Sequence, residues 1–182
     1  MAGQIGRYLA LGCVDEVIVY DDEQSSHRRP TDVSKSGNTS LHPVLDGSQG
    51  TTDSAIFLAR NLQYMETPPY LRKAFFPVHK HLKNVGLLNP LDTPHHVRVD
   101  ERSMYREGVV VNRPGPKLKT GGVGCWVNVG LKHEVEVARP IRPGVRVTVK
   151  MMDGRATEAV TPTEPKEKER LYWGYTTRLA TT

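Results

Sequence analysis

Residues 144–150 read GVRVTVK, a stretch in which valine occupies every second position. Alternation of this period is typical of a β-strand with one buried and one exposed face. The same period recurs in residues 127–129 and 135–137, and segments containing glycine and proline separate these runs. We therefore predict roughly four or five short strands between residues 107 and 160, arranged as a small antiparallel barrel.

The residues before the barrel have a different pattern, which predicts an α/β unit. Residues 4–12 carry apolar side chains at helical spacing, and residues 14–20 (VDEVIVY) then form a β-branched run. Consecutive apolar positions in that run favour a strand covered on both faces, as in a parallel sheet. A second helix is predicted from a Thr-Thr-Asp cap at residues 51–53 to the proline pair at 68–69. Residues 23–51 contain almost no large apolar side chains, so we expect a disordered loop there.

The composition narrows the class of partner and the compartment. The chain has 182 residues, a formal net charge of +5 and a pI near 9.3. This charge favours a polyanionic partner, although ordinary globular proteins also reach it. Cys13 and Cys125 lack CxxC spacing, so neither a disulfide framework nor a zinc ribbon is indicated, and a reducing, intracellular compartment is expected. No run reaches the roughly 18 apolar residues that cross a bilayer, so we expect no membrane span.

Four blocks of sequence, in order along the chain, resemble one known superfamily. They are PPYLRKAFFP (68–77), GLLNPLDTPHHVR (86–98), REGVVVNRP (106–114) and LYWGYTTRLA (171–180). Together they resemble the SPOUT, or α/β-knot, RNA methyltransferases, and more narrowly the eukaryotic and archaeal branch that carries an OB-like β-barrel. The resemblance implies an α/β fold class: a partial SPOUT-type α/β domain with an inserted OB-like antiparallel β-barrel.

The resemblance also implies a division into domains and a set of partners. Residues 1–93 would form the partial α/β methyltransferase domain, residues 94–160 the barrel, and residues 161–182 a polar linker with a strand that returns to the first domain. Members of the superfamily use S-adenosylmethionine and act on RNA as homodimers. The expected substrate is ribosomal RNA, with uridine N3 as a possible target, and the expected location is nuclear or nucleolar.

In the superfamily the cofactor lies in a deep knot formed by the last segment of the domain. No glycine-rich cofactor loops follow Trp173, and the usual first strand before residue 4 is missing. We therefore expect no cofactor-binding residue in this chain, no measurable binding of S-adenosylmethionine and no methyl transfer by this chain alone. The alternative is a non-enzymatic RNA-binding protein or scaffold on the same frame. No catalytic residue is assigned.

A proline-stiffened loop at residues 89–98 (NPLDTPHHVR) is the first candidate site. Its polar side chains are predicted to hold a target base and a phosphate: Asn89, Asp92, His95, His96 and Arg98. The alternative is that the first two residues only close turns. A metal site is not predicted, because the spacing of histidine and cysteine fits no structural zinc pattern. Adjacent histidines in an extended loop would also point in opposite directions.

The outer face of the barrel is the second candidate site. Strand alternation places Arg146 and Lys150 opposite the valines, with Arg142 in the turn before them. Together with Trp126, this basic face resembles the surface by which OB-type folds bind nucleic acid through charge and stacking. A plain solvated face is the competing interpretation. Arg178, near the end of the closing strand, is a further candidate RNA contact or a solvated residue.

Overall fold

The computed structural model of the protein describes residues 1–20, 53–118, 122–153 and 155–180. The loop predicted for residues 23–51 lies outside these ranges, so its predicted disorder stays a prediction. Within the described ranges, no helix combines the length and the apolar content that crossing a bilayer requires.

The first half of the chain forms a small α/β unit, as the periodicity predicts. Its elements are helix α1 (Ala2–Leu11), strand β1 (Glu16–Val19) and helix α2 (Asp53–Glu66). Ala59, Leu62 and Met65 of α2 are almost completely buried and pack with Val19 of β1 and Tyr175. The apolar side chains at helical spacing in α2 therefore face the core of this unit.

Residues 67–104 lead from α2 to the barrel through short turns and a single-turn helix, α3 (Arg72–Phe75). Leu71 and Phe75 pack against Val109, which belongs to the first barrel strand. The Tyr70 hydroxyl donates a hydrogen bond of 2.8 Å to the backbone carbonyl of Glu107 on the same strand. This segment therefore attaches the α/β unit to the barrel.

The predicted antiparallel barrel is confirmed, and the described residues form five strands of it. They are β2 (Tyr105–Val110), β3 (Cys125–Asn128), β4 (Val135–Val137), β5 (Arg146–Met152) and β6 (Arg155–Val160). The strands lie in the order β4-β3-β2-β5-β6, and β4 lies beside β6 at the seam. The sheet is therefore nearly closed.

The alternating valines fill the barrel, which is the reason that these short strands form one sheet. Val127, Val137 and Val149 are fully buried in its core. Gly108 lies where there is no room for a side chain, because a Cβ there would come within 2.4 Å of Cγ1 of Val127 and 2.9 Å of Cγ1 of Val129. The narrow interior therefore requires glycine at this position.

The closing segment differs from its prediction in one element. Residues 161–170 were expected to be a polar linker, but they contain a short helix, α4 (Glu164–Glu169). Pro165 lies in its first turn, and Lys168 Nζ donates to Glu164 at 2.9 Å. Because α4 has no apolar stripe, hydrophobic periodicity could not reveal it. Strand β7 (Thr176–Leu179) then pairs with β1 in parallel, so the chain does return to the α/β unit.

Candidate nucleic-acid interface

The end of helix α2 is where the predicted histidine loop is held. Glu66 is the last residue of α2, and its backbone carbonyl lacks a partner within the helix. Nε2 of His95 lies 2.9 Å from this carbonyl oxygen and Nε2 of His96 lies 2.6 Å from it. Since a carbonyl only accepts, both rings carry their proton on Nε2 and donate it. The loop therefore caps the helix.

The histidine pair was predicted to lie in an extended loop with its two rings pointing in opposite directions, and both predictions are wrong. Residues 93–96 form a turn, in which the His96 amide donates to the Thr93 carbonyl at 2.9 Å, so the segment is not extended. The two rings consequently lie on the same side, with centroids 4.5 Å apart. His95 is fully buried and is not exposed for contact with RNA in this conformation. Burial, together with neighbouring His95, lowers the pKa of His96 to about 4, so its ring is neutral at pH 7.

Behind the histidines lies a buried ion-pair network. Arg146 forms a bidentate pair with Glu66, with Nη1 and Nη2 each 2.8 Å from a carboxylate oxygen. Its Nε donates to Glu107 at 2.7 Å. Burial alone would raise the pKa of Glu66, but the Arg146 guanidinium and His95 hold that pKa well below its usual range. Glu66 and Arg146 are therefore charged at neutral pH.

Glu107 connects this network to the rest of the molecule. Its Oε1 accepts a hydrogen bond of 2.6 Å from Thr148 Oγ1 and another from the indole Nε1 of Trp173. We define the buried network as Glu66, Glu107, Arg146, Thr148 and Trp173. It joins the end of α2, strands β2 and β5, and the closing segment.

The buried network overturns the predicted position of Arg146. Alternation correctly places this side chain opposite the valines, but its guanidinium is paired with Glu66 at the end of α2 and with Glu107, so it does not lie on a solvated surface. Lys150, the other predicted cation of β5, is partly buried, and its Nζ lies 3.9 Å from a carboxylate oxygen of Glu164. The prediction of an outward basic face on β5 is therefore wrong.

Five of the other predicted contacts lie at the surface, at separate places. Asn89 lines a small cleft beside α1, Asp92 and Arg98 are exposed in the loop, and Arg142 is exposed in the turn before β5. Arg178 is exposed on β7, where its Nε lies 2.6 Å from Glu16 on β1. These side chains do not form one cluster, and their contact with RNA stays a prediction.

Trp126 lies on the outer face of β3, in register with Glu136 of β4, and is partly buried. The guanidinium carbon of Arg113 lies over its indole ring, 4.2 Å from the centroid. Nη1 of Arg113 is 2.8 Å from Oε2 of Glu134, which follows the β3 strand. We call Arg113, Trp126 and Glu134 the stacked triplet. It places a flat cationic group on the surface of the barrel.

Two clefts open near the barrel, and both are lined in part by Val99 and Leu131. Their volumes are about 490 and 650 Å³. The smaller one contains Arg106, which is 2% exposed and donates to the Arg98 carbonyl. Among the described residues, Nε and Nη1 of Arg106 have no hydrogen-bond partner. This arginine is thus buried with part of its donor capacity unsatisfied.

The whole chain, residues 1–182, matches the model of the protein family described as "Putative RNA methyltransferase". The chain belongs to this family. A protein of Homo sapiens named 28S rRNA (uridine-N(3))-methyltransferase is 43% identical over 187 residues, which cover 99% of this chain and 46% of that protein. Proteins of the same name in Mus musculus and Drosophila melanogaster are 44% and 46% identical, each over 99% of this chain and over 45% and 36% of their own lengths. The chain spans less than half the length of these relatives.

The RNA methyltransferase family implies S-adenosylmethionine as the methyl donor. We assign no cleft among the described residues to this molecule, and the expectation that this chain lacks cofactor-binding residues stays a prediction. The two larger clefts lie at the barrel, and carboxylates line the one that contains Arg106: Asp100, Glu101 and Asp153. The cleft beside α1 measures about 190 Å³, below the roughly 300 Å³ at which small-molecule sites begin. Within the same ranges, no group of three His, Cys, Asp or Glu side chains is placed to hold a metal ion.

For this member of the family, the sequence patterns did not identify the residues that organise the site. Glu66, Glu107 and Trp173 carry the buried network, and only their spatial convergence reveals it, because they come from distant parts of the sequence. Arg113 also gave no periodic signal. The following Pro114 is the one local hint, since it restricts the backbone of Arg113 to extended geometry.

Proposed function

We propose that this chain is part of an S-adenosylmethionine-dependent methyltransferase that modifies ribosomal RNA at N3 of a uridine. The observation that carries the proposal is the 43–46% identity, over 99% of the chain, to three proteins named for that activity. The family match along all 182 residues supports it. On this proposal the α/β unit is of the SPOUT type, and the whole protein acts as a homodimer in the nucleus or nucleolus.

The chemistry of N3 sets a condition on the RNA. This atom lies on the Watson–Crick edge, so a uracil in a base pair does not expose it. Methylation exchanges the N3 proton for a methyl group, which requires an unpaired base and a group that removes the proton. His96 is poorly suited to remove it, because it is mostly buried and already donates to the Glu66 carbonyl. We therefore assign no catalytic base, and we assign this chain to RNA positioning.

The barrel supports a role in holding single-stranded RNA. A five-stranded, partly open antiparallel barrel is the architecture of OB folds, which bind oligonucleotides through the face of their second and third strands. In this barrel the second and third strands are β3 and β4, and β3 carries Trp126 on its outer side. Arg142 and the formal charge of +5 add electrostatic attraction for the RNA backbone.

The proposal is tested in cells of the source organism that lack the gene. Nucleosides from large-subunit ribosomal RNA are quantified by mass spectrometry, and N3-methyluridine is located by the block that it imposes on reverse transcription. We expect one modified uridine to disappear and to return when the gene is restored. An unchanged set of N3-methyluridines would overturn the proposed activity.

A further inference from the structure

We propose that the guanidinium of Arg113, rather than the indole of Trp126, is the surface on which an unpaired nucleobase of the RNA stacks. The inference rests on the proposed function, in which the barrel holds single-stranded RNA. It adds a binding position of defined chemistry, a planar cation that receives the face of a base.

In the stacked triplet, Arg113 lies over the Trp126 ring and is itself partly exposed. With Cζ 4.2 Å from the ring centroid, the guanidinium covers the indole face that it contacts. A base that approaches from this side meets Arg113 first. The Arg113 side chain is 45% exposed, so its outward face remains accessible. The guanidinium would then lie between the base and the indole.

Arg113 is held in place before RNA arrives. Its guanidinium is fixed by the indole on one face and by Glu134, 2.8 Å from Nη1, at its edge. Pro114 restricts its backbone, and close backbone packing supports the loop that follows, since a Cβ at Gly115 would lie 1.9 Å from the Gly124 carbonyl oxygen. A side chain that is already ordered loses less conformational entropy on binding.

Charge distinguishes a nucleobase from a phosphate as the ligand at this position. Glu134 already neutralises the Arg113 charge, and the exposed carboxylate of Glu136 lies in register with Trp126 on the neighbouring strand. A phosphate at the same place would meet two carboxylates. An uncharged base meets a flat guanidinium, which stacks on aromatic faces whatever its ion pairing.

The test compares Arg113→Ala with Arg113→Lys in binding to a labelled, unstructured oligouridine, measured by fluorescence anisotropy at several salt concentrations. Lysine keeps the charge and loses the planar face. We expect both variants to weaken binding equally, by about 5- to 150-fold, the range for the loss of one base stack. The slope of affinity against salt should stay unchanged, because no phosphate contact is lost. Arg7→Ala on α1 removes the same charge away from the barrel and should leave affinity unchanged.

Tryptophan emission gives a second readout. The chain contains two tryptophans, and Trp173 is buried in the network, so a change on RNA binding reports Trp126. We expect weak quenching in the wild type, because the guanidinium keeps the base away from the indole. Strong quenching in the wild type would overturn the inference, because it would mean that the base reaches the ring directly.

The outcomes separate the two proposals. If the wild type does not bind the oligomer, the RNA-holding role of the barrel fails, and this inference fails with it. If the wild type binds and either Arg113 variant keeps full affinity, the stacking inference alone is wrong. Melting temperatures of the variants should match the wild type, since exposed ion pairs contribute little to stability.

Discussion

At the scale of single residues, Arg146 is a charged side chain in a largely buried position, where removing a charge from water costs free energy. Its side chain is 20% exposed, and its partners Glu66 and Glu107 are 10% and 4% exposed. The attraction within such a group offsets the cost of removing its members from water, and the net contribution to stability is small. Removing one member is different, because the others then stay buried without a counter-charge.

We expect Arg146→Met to lower the free energy of unfolding by about 3–5 kcal/mol, because it leaves two buried carboxylates unpaired. Arg106→Met is the matched control: it also removes a buried guanidinium, but one whose Nε and Nη1 have no partner among the described residues. Arg106→Met should change the free energy of unfolding by less than about 1 kcal/mol or increase it. Urea titrations measure both, and equal losses would contradict the assigned role of the network.

His96 makes stability depend on pH. Its pKa is about 4 in the folded protein and 6.5 in an unfolded chain, so below pH 6.5 the unfolded state binds a proton that the folded state does not. The contribution of His96 is therefore complete above pH 6.5 and is lost as the pH falls toward 4, by up to about 1.4 kcal/mol per pH unit.

His96→Gln tests this dependence, because the amide can still donate to the Glu66 carbonyl but does not titrate. Unfolding free energies at pH 7.5, 6 and 5 should fall more steeply in the wild type than in the variant. Protonation of Glu66 affects both proteins alike and acts mainly below pH 4.5, the pKa of this residue in an unfolded chain, because its folded pKa lies lower still. Parallel curves would show that the His96 ring is not buried in its neutral form.

At the scale of elements, local patterns predicted much of the fold. Alternating valines identified the barrel and the side of β5 that faces its core, and the apolar spacing of α2 identified its buried face. The pattern could not show what covers the other side of β5, because Glu66 is 80 positions from Arg146. Alternation tells which residues share a face, not what packs on it. Trp126 lies on the outer side of β3, and its partner Arg113 follows no period.

Strand β2 packs against the barrel core because residue 108 has no side chain, so Gly108→Ala should destabilise the barrel. The new Cβ would lie 2.4 Å from Cγ1 of Val127, and overpacking of this kind costs about 1–3 kcal/mol. Gly86→Ala is the control, because nothing lies within 4 Å of a Cβ at Gly86. It should be neutral or stabilising by up to about 1 kcal/mol. Thermal unfolding followed by circular dichroism compares the two, and a neutral Gly108→Ala would mean that the strand adjusts.

At the scale of the whole molecule, the α/β unit and the barrel share the buried network. Glu66 comes from the α/β unit and Arg146 from the barrel, and Trp173 lies on the segment that leads back to β7. Since these groups satisfy one another, separating the two parts would break the shared hydrogen bonds and ion pairs together, along with the packing of Leu71 and Phe75 on Val109. We therefore expect the described parts of the chain to unfold as one cooperative unit.

Trp126→Phe makes this cooperativity measurable, because it leaves Trp173 as the one tryptophan of the sequence. Its emission reports the network, whereas far-ultraviolet circular dichroism reports all secondary structure. The two urea transitions should coincide in this variant. Adding Arg146→Met should separate them, with the emission change first. Separate transitions in Trp126→Phe alone would show that the two parts unfold independently.

The parallel pairing of β1 with β7 delays folding during synthesis. Glu16 pairs with Thr176, so about 160 residues must be translated before β1 can meet its partner strand. At roughly 5–20 residues per second, β1 emerges from the ribosome and waits roughly 8–30 s. The barrel strands have shorter connections and can pair earlier, but the buried network stays incomplete until Trp173 is translated. Strand β1 is therefore the element that stays unpaired longest during synthesis.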